Sequence, residues 1–597
     1  MSVKMMKRQD MDKRYQWKTS DLFATDEIWQ NSYNSLLTSL PAIAAYKGRL
    51  SESSDALLAC LKENDRIDQI ADKLYVYAFL RFFEDTGNTV YKGMSDKAAT
   101  LLSKVSAAAS FIKPEILAMP DDKRQRFITE QPGLSVYVHL IDNMARQKQH
   151  VLPAEQEELL AKSSEISKAP QDVFSVFLQA DTKFGHIQNE DGQQVPLTLG
   201  NYISFMENKD RRVRKDAFTA LYGQLNAYKN TYAGLYSASV TSDNFYADVR
   251  RYDSALEMEL SNENIPSSVY SSLIEAIHEA LPQLHRYMAL RKKRLGVDEL
   301  HMYDLYAPIV SEADTSMPYE KAVETFLKSI EPLGKDYVAA ASKAFTDGWI
   351  DVYENEGKRS GAFQWGAYGG HPFVCLNYVG KIDDMFTLAH EMGHAMHSYY
   401  TWATQPYVYG EYTIFLAEVA STVNEALLME YMLKTTQDKT LKAYLINHFL
   451  EQYRGTLFRQ VMFAEFEMLT HQMAAQGEPL TCDSLSKLYV DLNQTYYGEH
   501  CVIDQDIAME WARIPHFYNA FYVYKYATGY SAAMAFSQKV LSGDPAALDH
   551  YLTFLKSGSS DYSIRILQKA GVDMSSPAPI RDALRKFTDL LGQMESL

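Results

Sequence analysis

Apolar residues recur at three- and four-residue intervals along most of the chain, which is the spacing of one face of an α-helix. The segments SDALLACLKENDRIDQIADKLYVYAFLRFF and KAYLINHFLEQYRGTLFRQVMFAEFEMLTHQM show this most clearly. Strand-like alternation is scarce. TKFGHIQNEDGQQVPLTLGNY places N-E-D-G between two short extended runs, which predicts a hairpin near residues 182–199. The glycine-bounded run from Pro372 to Val379 predicts another short strand. The pattern therefore predicts a mainly α protein with small β elements.

The predicted hairpin is also the best candidate boundary between two regions. We expect a helical N-terminal region at 1–195 and a larger helical catalytic region at 196–597. A chain of 597 residues is too long for one ordinary compact core. Two or more subdomains, or one large helical body, are therefore expected.

Composition and charge exclude several classes of function. Hydrophobic residues make up 46% and charged residues 23%, a normal globular balance. The net charge of −17 would repel phosphate, so nucleic acid is not expected as a partner. No apolar run is long enough to span a membrane, and the start of the chain does not resemble a signal peptide. The 4 cysteines are scattered, so no disulfide framework is expected. We predict a cytoplasmic protein.

The run LAHEMGHAMHSYY contains H-E-x-x-H as His390, Glu391 and His394. On a helix, residues four apart lie one turn apart on one face, so both imidazoles can reach one ion. Gly393 leaves room for another segment to approach. A helical wheel places the histidines opposite a stripe that should face the core, formed by Met385, Leu388, Ala389, Met392, Met396 and Tyr399. This arrangement predicts a metal site directed at a cleft.

A catalytic zinc ion keeps three protein ligands and one open position. Zinc lowers the pKa of a bound water and polarises a carbonyl, so Glu391 is predicted to be general base and then general acid. His397 lies about 10 Å along the helix from His390, too far to share its ion. EYTIFLAEVASTVNEALLMEYM places Glu411, Glu418 and Glu425 at a spacing of seven, roughly on one helical face, with small residues beside Glu418. The residues alone leave both Glu418 and Glu425 as candidates for the third ligand.

LAHEMGHAMHSYYT followed by FLAEVASTVNEALL resembles the oligoendopeptidase F branch of the thimet oligopeptidase family of zinc peptidases. QWKTSDLFATDEIW, DRRVRKDAFTALY, SGAFQWGAYGGHPFVCLNY and ARIPHFYNAFYVYKYATGYSAA are similar to further blocks of that family. The resemblance spans nearly the whole chain. It implies a large, mainly α, zincin-like fold with a deep substrate channel, covered by the N-terminal region. It also implies one zinc ion per chain, with Glu418 as third ligand. His397, Glu425 and His371 are then expected beside the ligands or along the cleft.

The family resemblance further implies that HFYNAFYVYKYATGY supplies a histidine and tyrosines that stabilise the oxyanion. If this segment is one helix, its polar face carries the candidates His516, Tyr522, Tyr526 and Tyr530. The strand predicted at 372–379 is expected to be an edge strand that pairs with an extended peptide.

These features predict a zinc-dependent oligoendopeptidase that hydrolyses internal bonds of short unstructured peptides. One alternative is a metallocarboxypeptidase of the same fold, in which Arg513 or Lys525 would hold the substrate carboxylate. Another is a non-catalytic peptide-binding protein, which would have no need for Glu391. Peptides are the expected partners, and the oligomeric state stays open.

Overall fold

A computed structural model describes residues 5–310 and 315–597. Helices account for 72% of the structure and strands for 3%, which confirms the predicted mainly α class. The α-helices up to residue 295 are α1 Asp26–Ser39, α2 Ser54–Glu84, α3 Thr89–Ala109, α4 Ile112–Ala118, α5 Asp121–Glu130, α6 Val138–Arg146, α7 Ala154–Val176, α8 Leu199–Met206, α9 Arg211–Ala227, α10 Lys229–Val249, α11 Ala255–Asn262 and α12 Ser267–Leu295.

The later α-helices are α13 Tyr319–Ser329, α14 Lys335–Thr346, α15 Ile382–Thr404, α16 Ile414–Thr435, α17 Lys439–Gln452, α18 Arg459–Ala475, α19 Cys482–Tyr497, α20 Tyr524–Leu541, α21 Pro545–Leu555, α22 Ser563–Lys569 and α23 Ala578–Ser596. The strands are β1 His186–Gln188, β2 Gln194–Pro196, β3 Leu300–His301, β4 Ile350–Asp351, β5 Phe363–Trp365, β6 Phe373–Cys375 and β7 Cys501–Val502. None of the described helices is both long enough and apolar enough to cross a bilayer.

The chain folds into two compact units, and each is assembled from three separate segments. The first unit contains the chain up to Gln149, Thr315–Tyr431 and Phe536–Gly571. The second contains His150–Asp314, Met432–Ala535 and Val572–Leu597. The division at residue 195, with an N-terminal region that covers a channel, stays a prediction.

The small sheets agree with the sequence pattern in part. β1 pairs antiparallel with β2, with Ile187 opposite Val195, which confirms the predicted hairpin. In the first unit the strand order is β4-β6-β5, so β6 is the central strand and β5 lies at the edge. The predicted edge role for residues 372–379 is therefore wrong. Their alternation and flanking glycines indicate a strand but do not show how many neighbours it has.

Helix α15 carries the H-E-x-x-H motif and begins at Ile382. The Asp384 carboxylate accepts hydrogen bonds from the backbone N–H groups of Lys381, at 2.8 Å, and Val379, at 3.1 Å, and so closes the first turn. The predicted core stripe is buried: Met385, Leu388, Ala389, Met392 and Met396 are all 0% exposed, and Tyr399 is half-buried. Helix α15 is thus fixed on one side by apolar packing.

Candidate active site

Three side chains from α15 and α16 meet in the first unit. His390 Nε2 lies 3.2 Å from His394 Nε2 and 3.4 Å from Glu418 Oε2. His394 Nε2 lies 3.6 Å from the same oxygen of Glu418. In the described part of the chain this is the group of histidine, cysteine and acidic side chains whose ligand atoms are spaced to hold a metal ion. Bonds of about 2.0–2.2 Å to a tetrahedral zinc would place ligand atoms about 3.3–3.6 Å apart. The three distances therefore fit a zinc ion.

The two helices approach closely because both have small residues at the crossing. A Cβ added at Gly393 would lie 2.4 Å from Ser421 Cα and 2.5 Å from the carbonyl oxygen of Ala420. These are backbone atoms, so only glycine fits at this position of α15. Asn424, which is fully buried, donates from its side-chain amide to the carbonyl oxygen of Ala389 at 3.3 Å. The predicted close approach at Gly393 is confirmed.

Glu391, which follows His390 on α15, is 6% exposed. Its Oε2 is buried and has no hydrogen-bond partner among the described residues. Burial raises the pKa of Glu391 to about 7; His390 opposes the rise, and the carboxylates of Glu418 and Glu425 add to it. A carboxyl group with a pKa near neutrality can both accept and deliver a proton.

Glu425 contacts the outer nitrogen of His390. Its Oε1 lies 2.5 Å from His390 Nδ1. Burial alone would lower the pKa of His390, but the hydrogen bond and charge of Glu425 outweigh it and raise that pKa to about 9. With its Nδ1–H donated to Glu425, the imidazole keeps Nε2 for an ion. Glu425 lies outside the group of three ligand atoms.

The group of three ligand atoms does not include His397 or His371. The His397 ring is 0% exposed and stacks on Tyr412, with the ring centroids 3.8 Å apart. Burial lowers the pKa of His397 to about 3, so the ring is neutral. His371 stacks on Trp349 at 5.2 Å, and its Nε2 lies 3.3 Å from Asp21 Oδ2. Both histidines make aromatic packing contacts where they lie.

The second unit brings together three of the four predicted oxyanion residues. The rings of His516 and Tyr522 are 6.0 Å apart and nearly parallel. His516 Nε2 lies 3.4 Å from the Tyr526 hydroxyl oxygen. Burial, with the positive charge of Arg459 adding to it, lowers the pKa of His516. Tyr530 lies apart from this cluster: it is 4% exposed and packs against the ring of Tyr453 at 5.0 Å.

The interpretation of residues 516–530 as one helix is wrong for the first half. Pro515–Tyr518 forms a short 3-10 turn, and α20 begins only at Tyr524. Between them Phe521 has a φ of 55°. A left-handed residue ends helical periodicity, so the wheel that grouped Tyr530 with His516 does not apply. No glycine or proline in NAFYV indicated this break.

A cavity of about 1020 Å³ lies beside α15 in the first unit. Its wall includes Gln364 of β5 and Ser398, which is one turn beyond His394. Four carboxylates also line it, namely Asp65, Asp68, Asp72 and Glu411. Burial raises the pKa of Asp72 to about 7, and Glu411 and Asp68 add to this shift. No local pattern in the sequence indicates this cavity, because its lining residues are spread from α2 to Tyr412.

A mainly helical fold with an H-E-x-x-H helix and a nearby carboxylate defines the metallopeptidase class. The profile of peptidase family M3 matches residues 204–586, and the Oligopeptidase F profile matches residues 115–184. The chain belongs to peptidase family M3, and it is a metalloendopeptidase.

Similar proteins cover nearly the whole chain. Oligopeptidase PepF of Bacillus subtilis is 47% identical over 97% of this chain and 87% of its own length. Group B oligopeptidase PepB of Streptococcus agalactiae is 41% identical over 99% of this chain and 98% of its own length. The crystal structure of oligoendopeptidase-F from Enterococcus faecium has a TM-score of 0.75 at 40% identity and covers 96% of this chain and 99% of that one. These relatives confirm the resemblance found in the sequence blocks.

Proposed function

We propose that this chain is a zinc-dependent oligoendopeptidase that hydrolyses internal bonds of short unstructured peptides. The spacing of His390, His394 and Glu418, which fits a tetrahedral zinc, is the observation that carries the proposal. A bound zinc would supply Lewis-acid polarisation of the scissile carbonyl and make a water molecule a stronger acid. One ion per chain is expected, because the described residues contain one such group.

Glu391 would move the proton. We assign it as the base that takes the proton of the attacking water and as the acid that delivers it to the leaving amine. Its buried, unpartnered Oε2 and its pKa near 7 support this role. Glu425 would hold His390 through Nδ1, so that Nε2 stays a ligand atom.

His516, with Tyr522 and Tyr526, would donate hydrogen bonds to the developing oxyanion. Support comes from their grouping, with the imidazole and the Tyr526 hydroxyl 3.4 Å apart. The lowered pKa of His516 keeps it a neutral donor near neutral pH. Tyr530, which is buried against Tyr453, is the weakest of the four candidates.

The carboxypeptidase alternative needs a cation available for the substrate carboxylate, and both candidates are already paired. Arg513 Nη2 lies 2.7 Å from Glu510 Oε1. Lys525 Nζ lies 2.7 Å from Glu263 Oε1. These ion pairs favour endopeptidase action.

All four cysteines are free and buried, which supports the predicted cytoplasmic location because free thiols are typical of reducing compartments.

The test is cleavage of an internally quenched peptide with both ends blocked, by wild type and Glu391→Gln, each assayed for zinc. We expect the variant to keep its zinc and to lose about three orders of magnitude in turnover. Glu275→Gln, the same change at an exposed site on α12, is the matched control and should behave as wild type. Trimming of free peptides from the C-terminus with blocked peptides left intact would support the carboxypeptidase. Zinc-loaded protein that binds peptides without cleaving them would support the binding protein.

A further inference from the structure

The segment that carries His516 and Tyr522 contains a strained residue. Phe521 has a φ of 55°, and among the described residues only Arg251 and Asn264 also combine a side chain with a positive φ. This conformation is costly for an L-residue with a large side chain, so neighbouring groups must impose it. The Phe521 ring is 2% exposed and packs on His471 at 4.6 Å and Tyr270 at 6.0 Å. The ring contacts are the first of the two constraints on the backbone.

The second constraint is a buried carboxyl group of α18. The backbone N–H of Phe521 donates to Glu467 Oε1 at 3.1 Å. Glu467 is 0% exposed, and its Oε2 has no hydrogen-bond partner among the described residues. Burial raises the pKa of Glu467 well above its ordinary value, and the nearby carboxylate of Asp243 adds to the shift. Burial therefore favours the protonated form of Glu467, whose Oε1 accepts the hydrogen bond from Phe521.

Phe521 lies at the joint between the two parts of the His516 cluster. On its N-terminal side a turn is closed by the hydrogen bond from Asn519 N–H to the carbonyl oxygen of His516, at 2.9 Å. On its C-terminal side the carbonyl oxygen of Tyr522 accepts from Lys525 N–H at 3.1 Å, where α20 begins. The φ of Phe521 sets the direction in which the chain leaves this turn. It therefore determines where Tyr522 and Tyr526 meet His516.

We propose that Glu467 is a positioning residue: it holds Phe521 in the left-handed conformation and so presents His516, Tyr522 and Tyr526 as one preassembled group. This inference rests on the proposed function, in which the group stabilises the oxyanion. The part of Glu467 that matters is the acceptor oxygen that bonds to the Phe521 amide. Glutamine supplies the same acceptor in the same shape, whereas leucine has a similar volume and no acceptor.

The experiment compares Glu467→Gln and Glu467→Leu by two readouts. One is hydrogen exchange of the peptide that spans residues 514–526, and the other is kcat and KM on the blocked quenched peptide. We expect Glu467→Leu to exchange about tenfold faster in this segment, because the Phe521 amide loses its acceptor. Its kcat should fall about 10²-fold with KM changed little, since misplaced groups act in the transition state. Glu467→Gln should stay within about threefold of wild type in both.

The matched control is Thr470→Val, one turn further along α18. Thr470 is also fully buried, but its hydroxyl bonds to the Tyr236 hydroxyl at 2.8 Å and to carbonyls of its own helix. This variant loses a buried hydrogen bond without touching Phe521. We expect a lower melting temperature, with segment exchange and kcat near those of wild type. A loss of kcat equal to that of Glu467→Leu would make the effect one of general destabilisation and overturn the proposal.

A second pair of variants serves if Glu467→Leu does not fold. Phe521→Gly and Phe521→Ala both remove the ring, but only glycine adopts a positive φ without strain. We expect Phe521→Gly to keep the higher kcat, and equal losses would overturn the role of the backbone conformation. The role of Glu467 would be overturned if Glu467→Leu kept the exchange rate and kcat of wild type. It would also be overturned if Glu467→Gln lost as much as Glu467→Leu.

The oxyanion role is tested separately by His516→Phe. Full turnover in that variant would refute the proposed function of the cluster. Segment exchange in Glu467→Leu would still report on the Glu467–Phe521 contact, because it does not depend on catalysis. Exchange of residues 514–526 as slow as in wild type would overturn the positioning role. Faster exchange together with a reduced kcat in Glu467→Leu would support it.

Discussion

Replacing Gly393 by alanine should separate the two helices that hold the metal ligands. The added Cβ would lie 2.4 Å from Ser421 Cα, whereas ordinary contacts begin near 3.4 Å, so α16 must move by about 1 Å. Metal–ligand distances tolerate only about 0.2 Å. Glu418 moves with α16, so its oxygen can no longer lie at bonding distance from an ion held by His390 and His394.

The magnitude follows from these distances. Overpacking costs about 1–3 kcal/mol, and the better helix propensity of alanine offsets about 0.5–1 kcal/mol, so stability falls modestly. Zinc affinity should fall at least about tenfold. Turnover at saturating zinc should fall about 10²-fold, as expected for a 1 Å displacement of a catalytic group.

The assay is zinc competition against a chelator of known affinity, followed by kcat on the blocked peptide with zinc in excess. Gly93→Ala is the matched control, because Gly93 lies on the exposed side of α3 and an added Cβ there meets no atom within 4 Å. The control should bind zinc like wild type and gain stability. Wild-type zinc affinity and turnover in Gly393→Ala would refute the argument that this close approach sets the ligand geometry.

Three further changes test other parts of the structure. Glu425→Gln should lower zinc affinity about tenfold in the same competition assay, because an amide orients His390 less strongly than a carboxylate. Asp72→Asn should stabilise the fold more at pH 8 than at pH 5, by about 1–3 kcal/mol in denaturant titrations. The raised pKa of Asp72, about 7, means that the folded state is penalised as pH rises from the unfolded pKa towards that value. Glu510→Gln should destabilise by about 2–4 kcal/mol at pH 7 and by much less at pH 3. Arg459 and Arg513 outweigh burial and lower the pKa of Glu510 to about 2, so its stabilisation is lost as pH falls from about 4.5.

The features that could be predicted best from the sequence are those that depend only on residue spacing within one helix. His390 and His394 meet because four residues make about one turn, and the apolar stripe of α15 is buried as the wheel indicated. Glu418 and Glu425 could not be separated in this way, since a spacing of seven puts both on one face. Which of them reaches the histidine Nε2 atoms depends on the position of α16 along α15, which is a tertiary property.

In other places distant residues decide the environment of a side chain or the conformation of the backbone. A wheel places His397 with the other histidines, but Tyr412 and Phe554 enclose its ring. Residues 516–530 have the composition of one helix, but the hydrogen bond from Phe521 to Glu467 and the burial of its ring stabilise a left-handed residue there. Local propensity carries no information about a partner 54 residues away.

One face of α16 makes the site through four successive contacts. Glu418 supplies a ligand atom, and Ser421 both packs on Gly393 and donates to Glu418 Oε2 at 3.1 Å. Asn424 then bonds to the carbonyl oxygen of Ala389, and Glu425 holds His390 Nδ1. Glu418 and Ser421 are three residues apart, and Asn424 and Glu425 follow Ser421 by three and four residues, which is about one helical turn each time. A single placement of α16 against α15 therefore satisfies all four. A shift by one residue would break all four together. Ligand geometry and helix packing are therefore one constraint, which explains why a substitution that touches no ligand is expected to weaken zinc binding.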